Sequence, residues 1–148
     1  GGVLVVGVES LLTALARCCR PAPPDAIGGY VTRGKGVAIH RMGCSNFHHM
    51  AERAPERVIA VAWGQVPAGR DAAYPVDVMV EAADRSGLLR DISEVLSREK
   101  LNVIAVNTLT KKGTAYMRFT MEVGGVKQVQ RAITLIREVP GVIDAQRK

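Results

Sequence analysis

Apolar and polar positions follow two different periods in the second half of the chain. In residues 75–82, PVDVMVEA, the side chains of Val76, Val78 and Val80 alternate with less apolar neighbours, which is the period of a β-strand. From Asp84 to Lys100 the apolar residues recur every three or four positions, which is the period of an amphipathic helix. The apolar positions of this helix are Leu88, Leu89, Ile92, Val95 and Leu96. The pattern therefore predicts a strand followed by a helix.

The remaining C-terminal residues continue with further predicted strands and a second helix. Residues 102–123 predict two strands around a turn at Lys112–Gly113, and residues 126–141 predict a second helix that Pro140 and Gly141 end. Residues 142–148 predict a last short strand. The order βαββαβ is that of a ferredoxin-like sheet with both helices on one face.

The first half has shorter elements and a thinner predicted core. Its β-branched segments on either side of RGKG, residues 33–36, predict a hairpin with glycines available for the turn. The other predicted elements are a helix over Glu9–Ala16, an extended loop at Pro21–Pro24, a helix over Ser45–Arg53 and a strand over residues 57–63. A unit of this size often needs an additional staple, such as a metal ion.

The segment from Gly64 to Pro75 lacks apolar periodicity and contains two glycines and two prolines. We therefore predict an α+β protein in which a small β/α domain over residues 1–66 is joined by a linker, residues 67–74, to a βαββαβ domain over residues 75–148. The chain opens on GGVLVVGVES without a methionine. We expect it to be a C-terminal piece of a longer protein.

Composition favours a soluble, cytoplasmic protein. Hydrophobic residues make up 47% and charged residues 23% of the chain, as in ordinary globular domains. The apolar run at Gly1–Val8 is too short to span a bilayer and has no basic residues before it, so we expect no membrane partner. Three cysteines, two of them adjacent, form a poor disulfide framework, because vicinal cysteines bridge only through a strained ring.

Positive charge is concentrated in the first half of the chain. The net charge is +6, and residues 1–70 contain eight Lys and Arg against four Asp and Glu. This excess favours a polyanionic partner, although a solvated basic face gives the same pattern. Basic side chains and glycine amides suit the phosphates of a structured RNA. The candidate RNA-binding residues are Arg17, Arg20, Arg33, Lys35 and Arg41.

Four residues near this charge have the chemistry of metal ligands. Cys18, Cys19, His40 and Cys44 follow the pattern CC-x20-H-x3-C, and three thiolates with one imidazole satisfy a structural zinc ion. A second donor set keeps one of the adjacent cysteines and adds His48 or His49. Two further interpretations are a packed, metal-free thiol site and a reactive redox pair. A zinc enzyme is disfavoured because no acidic residue lies between residues 25 and 52 to act in catalysis.

Two segments together resemble a known family. ARCCRPAPPDAIGGYVTRGKGVAIHRMGC, residues 16–44, resembles the conserved-cysteine or zinc-finger domain of long RelA/SpoT-type (p)ppGpp synthetase/hydrolases, and the βαββαβ region with DRSGLL resembles their ACT domain. The resemblance implies a non-catalytic regulatory fragment, with no catalytic residues of its own. It also implies docking on ribosomal RNA and tRNA near the A site, and a relay of amino-acid starvation to the parent's catalytic domains. The parent would be a GTP pyrophosphokinase, a (p)ppGpp hydrolase or both. Gly43 departs from the family pattern, which commonly has Asp there.

The ACT resemblance also implies an alternative function in ligand sensing. ACT domains commonly bind amino acids between the loop after the first strand and a neighbouring subunit, so an amino-acid ligand and a homodimer are expected. The positions that match are Asp84, Ser86, Gly87, Leu88 and Asn102. The same residues also suit ordinary helix capping and turn formation, and that interpretation stays open.

Overall fold

The structure, a computed structural model, describes residues 3–5, 12–34, 36–64 and 73–148. The chain divides into two compact units, Gly1–Ala72 and Ala73–Lys148. Most of the predicted linker lies outside the described residues, and its last residue, Tyr74, already belongs to the first strand of the second unit.

The second unit is the predicted βαββαβ domain, and the α+β prediction is confirmed. Its elements are β7 (Tyr74–Ala83), α2 (Leu88–Arg98), β8 (Asn102–Lys111), β9 (Thr114–Val123), α3 (Val126–Arg137) and β10 (Val142–Arg147). The four strands pair antiparallel in the order β10-β7-β9-β8, so β8 is an edge strand.

The buried apolar residues of the strands and of the two helices form one layer. Val78 of β7 pairs with Phe119 of β9, and the alternate residues on both strands are buried on the same face. The two helices contribute buried residues to this layer, although Leu89 of α2 is 49% exposed. The layer includes Val76, Val78, Val80, Ile92, Leu96, Phe119, Met121, Ala132 and Ile136. Burial of this many large apolar side chains gives the second unit a core of its own.

Both helices of the second unit are shorter than their apolar patterns predict. Helix α2 begins at Leu88 because Gly87 adopts a left-handed conformation with φ of +80°. Helix α3 ends at Arg137 because the residue before Pro140 is disfavoured in the helical region. The preceding loop and the following turn therefore take residues that the periodicity assigned to helix.

In its described residues, the first unit has two small sheets and one α-helix. Its elements are β1 (Val3–Val5), β2 (Thr13–Leu15), β3 (Ile27–Val31), β4 (Val37–Arg41), α1 (Ser45–Arg53), a 3₁₀ turn (Pro55–Arg57), β5 (Val58–Ile59) and β6 (Val61–Trp63). One sheet has the order β2-β4-β3-β5, and the other pairs β1 with β6. The predicted hairpin is confirmed as β3 and β4, and the predicted helix as α1.

Two predictions for the first unit are wrong. The helix predicted over Glu9–Ala16 is a strand at Thr13–Leu15, which pairs parallel with β4, while residues 9–11 lie outside the described part. The strand predicted over residues 57–63 is two strands, because β5 pairs with β3 while β6 pairs with β1. In both cases pairing with a distant strand overrides the local pattern.

No helix within the described ranges combines the length and the apolar character that a membrane crossing requires.

Glycine in β3 allows the close approach of α1. A Cβ atom at Gly28 would lie 2.5 Å from Cζ of Phe47 and 2.9 Å from Sδ of Met42. Phe47 is the buried residue of α1, so this contact fixes the distance between helix and sheet.

We expect Gly28→Ala to lower the free energy of unfolding of the first unit by about 1–3 kcal/mol, because the added methyl group overpacks the contact with Phe47. Chemical denaturation of the 148-residue chain measures the change. Gly43→Ala is the matched control, since a Cβ atom there meets nothing within 4 Å. Equal stability of the two variants would contradict the packing argument.

Candidate metal centre and ligand cavity

Three segments of the first unit bring four donor atoms together. Cys18 and Cys19 lie in the turn after β2, His40 lies in β4, and Cys44 immediately precedes α1. The Sγ atom of Cys18 is 3.4 Å from Nδ1 of His40 and 3.6 Å from Sγ of Cys44, and Sγ of Cys19 is 3.8 Å from the same imidazole nitrogen. All four donor atoms lie within 4.8 Å of one another, so these residues could hold one metal ion.

A turn explains how two adjacent cysteines reach one point. Residues 17–19 leave the strand conformation, and the backbone N–H of Arg20 donates to the carbonyl of Ala16 at 3.0 Å. Arg20 itself has a positive φ of 43°, an uncommon conformation for a residue with a side chain. Because the backbone bends here, Cys18 and Cys19 both face His40, which they would not do in an extended strand.

The pKa values of Cys19, His40 and Cys44 reflect burial and contacts within the cluster. Burial raises the pKa of the Cys19 thiol to about 12, and the neighbouring Cys18 and Cys44 add to this effect. Burial also lowers the pKa of His40, which favours the neutral imidazole. For Cys44 burial acts to raise the pKa, but hydrogen bonds from the backbone N–H groups of Phe47 and Asn46 and from the other two thiols together lower it. A neutral imidazole and a stabilised thiolate are the forms that bind a cation.

Neighbouring groups hold the donors in place. The backbone N–H of Arg41 donates to Sγ of Cys19 at 3.3 Å. The ring of Phe47 stacks on His40 with ring centroids 5.5 Å apart and an interplanar angle of 28°. Phe47 was missed from sequence, although its position three residues after Cys44 puts both on neighbouring turns of one helix face.

The second predicted donor set is not assembled in the structure. His48 points its Nε2 atom at the carbonyl of Met42, 2.6 Å away, and His49 is exposed. Among the residues that the structure describes, the cluster with metal-ligand geometry is Cys18, Cys19, His40 and Cys44.

The predicted RNA-binding residues that the structure describes lie at two separate places in the first unit. Arg17 and Arg20 flank the cysteine pair in the chain, and Arg41 follows His40, so these three are next to members of the four-donor cluster in sequence. Arg33 lies in the β3–β4 turn, at the opposite end of the hairpin from Arg41. Lys35 lies outside the described residues. Arg33 is therefore separated from Arg41 by the length of the hairpin.

Arg17 and Arg41 present their charges differently. Arg17 is exposed, whereas Nε of Arg41 lies 3.8 Å from Oδ2 of Asp25 in a partly exposed ion pair. Asp25 also accepts a hydrogen bond from the backbone N–H of Ala22. Arg41 therefore links β4 to the proline-rich loop as well as adding charge beside the cluster.

The loop after β7 borders a cavity of about 390 Å³ in the second unit. The loop and the start of α2 supply one wall, and β8 and β9 supply the floor. The lining residues are Asp84, Arg85, Gly87, Leu88, Leu89, Arg90, Thr108, Ala115 and Met117. The floor residues were missed from sequence, but the turn at Lys112–Gly113 sets the register that places Thr108 opposite Met117.

Two of the five predicted ligand residues lie away from the lining. Ser86 does not border the cavity, and Asn102 pairs with Glu122 at the other end of the β8–β9 ladder. The side-chain amide of Asn102 donates to Oε1 of Glu122 at 2.6 Å. Within a single chain, therefore, Asn102 cannot share a small ligand with the loop over residues 84–88.

Arg85 fixes the conformation of this loop. Its guanidinium donates to the carbonyl of Pro140 at 2.9 Å and to Oδ2 of Asp91 at 2.8 Å. The hydrogen bond from Arg85 lowers the pKa of the partly exposed Asp91 carboxyl. Arg90 is the second cation at the cavity, and its guanidinium lies beside Gly87 and 3.4 Å from Oδ1 of Asp91.

Comparisons with known proteins agree with this two-unit architecture. Residues 3–64 match the family model of the RelA/SpoT RIS domain, and residues 70–147 match that of the ACT domain. Among solved structures, the ACT domain from GTP pyrophosphokinase of Chlorobium tepidum has a TM-score of 0.47 and 18% identity, covering 51% of this chain and 99% of that one.

Curated relatives match over nearly the whole chain. A GTP pyrophosphokinase of Escherichia coli is 40% identical over 149 residues, covering 99% of this chain and 20% of the relative. The bifunctional (p)ppGpp synthase/hydrolase RelA of Mycobacterium tuberculosis is 40% identical over 147 residues, covering 99% and 19%. The chain thus spans about one fifth of the length of these relatives. It belongs to the RelA/SpoT family, as a RIS domain followed by an ACT domain of the C-terminal region.

Proposed function

We propose that this chain is a non-catalytic regulatory region of a cytoplasmic (p)ppGpp synthetase/hydrolase. It docks on ribosomal RNA and tRNA near the A site and relays amino-acid starvation to the catalytic domains of the parent protein. The observation that carries this proposal is the four-donor cluster, whose members adjoin Arg17, Arg20 and Arg41 in the chain. The names of the relatives, GTP pyrophosphokinase and (p)ppGpp synthase/hydrolase, support the activity of the parent.

A structural zinc ion fits the cluster. Zinc–sulfur bonds of about 2.3 Å and zinc–nitrogen bonds of about 2.0–2.1 Å, in a tetrahedron, separate two sulfurs by about 3.8 Å and a sulfur from a nitrogen by about 3.6 Å. The distances here are 3.6 Å between Cys18 and Cys44, and 3.4 and 3.8 Å from Cys18 and Cys19 to His40. Four protein donors complete the tetrahedron, which is typical of a structural site.

Such an ion would stabilise the basic surface rather than act in chemistry. It would join the turn after β2, strand β4 and the start of α1 at one point. Arg17 and Arg20 lie next to the cysteine ligands, and Arg41 lies next to His40. Fixing these backbone segments limits where the three guanidinium groups can go, which favours recognition of the shape and phosphates of folded RNA.

A second candidate function is amino-acid sensing by the ACT domain. The observation in its favour is the cavity beside Gly87, with an apolar floor and with Asp84 and Arg90 at its edge. A ligand carboxylate suits Arg90 and the amides at the start of α2, and an ammonium group suits Asp84. An apolar side chain suits the floor of Ala115 and Met117.

A homodimer would reconcile the position of Asn102 with this cavity. Strand β8 is an edge strand with unpaired backbone groups, and its side chains Ile104 and Leu109 are 52% and 66% exposed. If two β8 edges pair antiparallel about Ala105, Asn102 of one copy comes opposite Thr108 of the other. Asn102 would then reach the cavity of the partner rather than that of its own chain.

We expect about one zinc ion per chain in the reduced, purified protein, measured by elemental mass spectrometry, and a lower melting temperature after chelation. His40→Ala should weaken zinc binding by more than about 100-fold, since loss of a ligand exceeds the 10–100-fold cost of losing an outer-shell partner. His49→Ala is the matched control and should retain the ion. Zinc loss in both variants, or in neither, would contradict the donor set.

Docking on RNA should depend on the arginines beside the cluster. Each phosphate contact contributes about 0.7–0.9 to the slope of log affinity against log salt, so Arg17→Ala with Arg20→Ala should reduce that slope by about 1–2. Filter binding to ribosomes with deacylated A-site tRNA measures it. The control is Arg53→Ala, an exposed arginine at the end of α1. An unchanged slope in the double variant would rule out this surface.

The ligand cavity predicts stabilisation by an apolar amino acid. L-valine, L-leucine or L-isoleucine at 100 times its dissociation constant should stabilise the second unit by about 2.7 kcal/mol, which appears as a higher melting temperature. Gly87→Val should abolish the shift, because φ is +80° and the added side chain meets Arg90. Ser86→Ala should keep it. If none of the three amino acids raises the melting temperature of the unmodified chain, this second function is excluded.

A further inference from the structure

Two of the three thiols in the cluster are both close together and reachable from solvent. We propose that Cys18 and Cys44 are a site of oxidative modification, at which a peroxide converts the two thiols into a disulfide and releases the bound metal. This inference deepens the zinc proposal above and rests on it for the metal-release step.

The geometry selects this pair. The two Sγ atoms are 3.6 Å apart, and a disulfide bond is about 2.05 Å long, so closure needs a movement of about 1.5 Å. Both residues are partly exposed. A bridge between the adjacent Cys18 and Cys19 would need a strained ring.

Cys19 is less accessible to a peroxide than Cys18 and Cys44. Its side chain is buried, with 8% of its surface exposed. Its Sγ atom also accepts the backbone N–H of Arg41 at 3.3 Å, which anchors it to β4. A peroxide therefore reaches Cys18 and Cys44 before it reaches Cys19.

The reaction balances with hydrogen peroxide as the oxidant. One thiolate attacks an oxygen of the peroxide, the O–O bond breaks, and a sulfenic acid and hydroxide form. The second thiolate attacks the sulfenic sulfur, the S–S bond forms, and the S–O bond breaks to release a second hydroxide. Two thiolates are oxidised by two electrons in total, and the peroxide is reduced to two hydroxide ions, which take up protons to become water.

Metal release follows from the count of donors. After closure, Cys19 and His40 are the two remaining members of the cluster, and two donors do not satisfy a structural zinc ion. The new bond joins the turn after β2 directly to the start of α1. Arg17 and Arg20 lie beside the oxidised residue, so oxidation changes the anchoring of the basic surface.

The test treats the zinc-loaded 148-residue chain with a graded series of hydrogen peroxide. Zinc release is followed with a chromophoric indicator, and disulfides are mapped by non-reducing peptide mass spectrometry. We expect the Cys18–Cys44 disulfide to form in proportion to the zinc released, one ion for each bridge, and dithiothreitol with added zinc to reverse both changes. Release of zinc without a disulfide, or with a bridge that includes Cys19, would overturn the proposal.

Experiments on the metal-free chain and on two variants distinguish this inference from the zinc proposal. If the chain holds no zinc, the zinc proposal fails, but a Cys18–Cys44 bridge in the peptide map still supports the oxidisable pair. Cys19→Ser should still form the bridge, whereas Cys18→Ser should form none. Formation of a Cys19–Cys44 bridge in Cys18→Ser would show that burial does not protect Cys19 and would contradict the selection of the pair.

Discussion

Three thiols and one imidazole converge at a point where three chain segments of the first unit meet. This convergence constrains the unit, because the turn after β2, strand β4 and the start of α1 must all present a donor atom within 4.8 Å of the others. Burial raises the pKa of Cys19 to about 12, which indicates how unfavourable a thiolate is there without a compensating charge. A cation at the centre would reverse that preference, and on our proposal zinc supplies it.

The two units differ in what stabilises them. The second unit buries an apolar layer between one sheet face and two helices, with Phe119, Ile92 and Ile136 fully enclosed. The first unit has shorter strands, and part of its enclosed space is taken by Cys19 and His40 rather than by aliphatic side chains. A small domain of this kind commonly depends on a metal ion or a disulfide. On our proposal, the same cluster stabilises the first unit and positions Arg17, Arg20 and Arg41, so that stability and recognition would depend on one group of residues.

The sequence predicted the elements whose periodicity is long and regular. The strands and helices of the second unit, the β3–β4 hairpin and α1 all follow from spacing and turn residues. Thr13–Leu15 was mistaken for helix because its strand pairing comes from β4, which is more than twenty residues away in the chain. The local sequence pattern carries no information about that distant pairing.

For the candidate sites, the sequence identified residue types but not the backbone geometry that places them. The residue types and spacing identified the four donors, but not the bend at residues 17–19 that lets adjacent cysteines face one point. The charges were identified, but the hairpin register that separates Arg33 from Arg41 was not considered. The cavity floor at Thr108 and Met117 depends on cross-strand register, which follows only after the turn at Gly113 is placed.

X-ray absorption spectroscopy at the zinc K-edge of the reduced chain tests the central claim most directly, because it measures the ligands of the metal rather than its presence. The account predicts a first shell of three sulfur atoms at about 2.3 Å and one nitrogen at about 2.0–2.1 Å. A shell with two or fewer sulfur atoms, or one completed by oxygen, would contradict the assignment of Cys18, Cys19, His40 and Cys44 as the group on which the first unit depends.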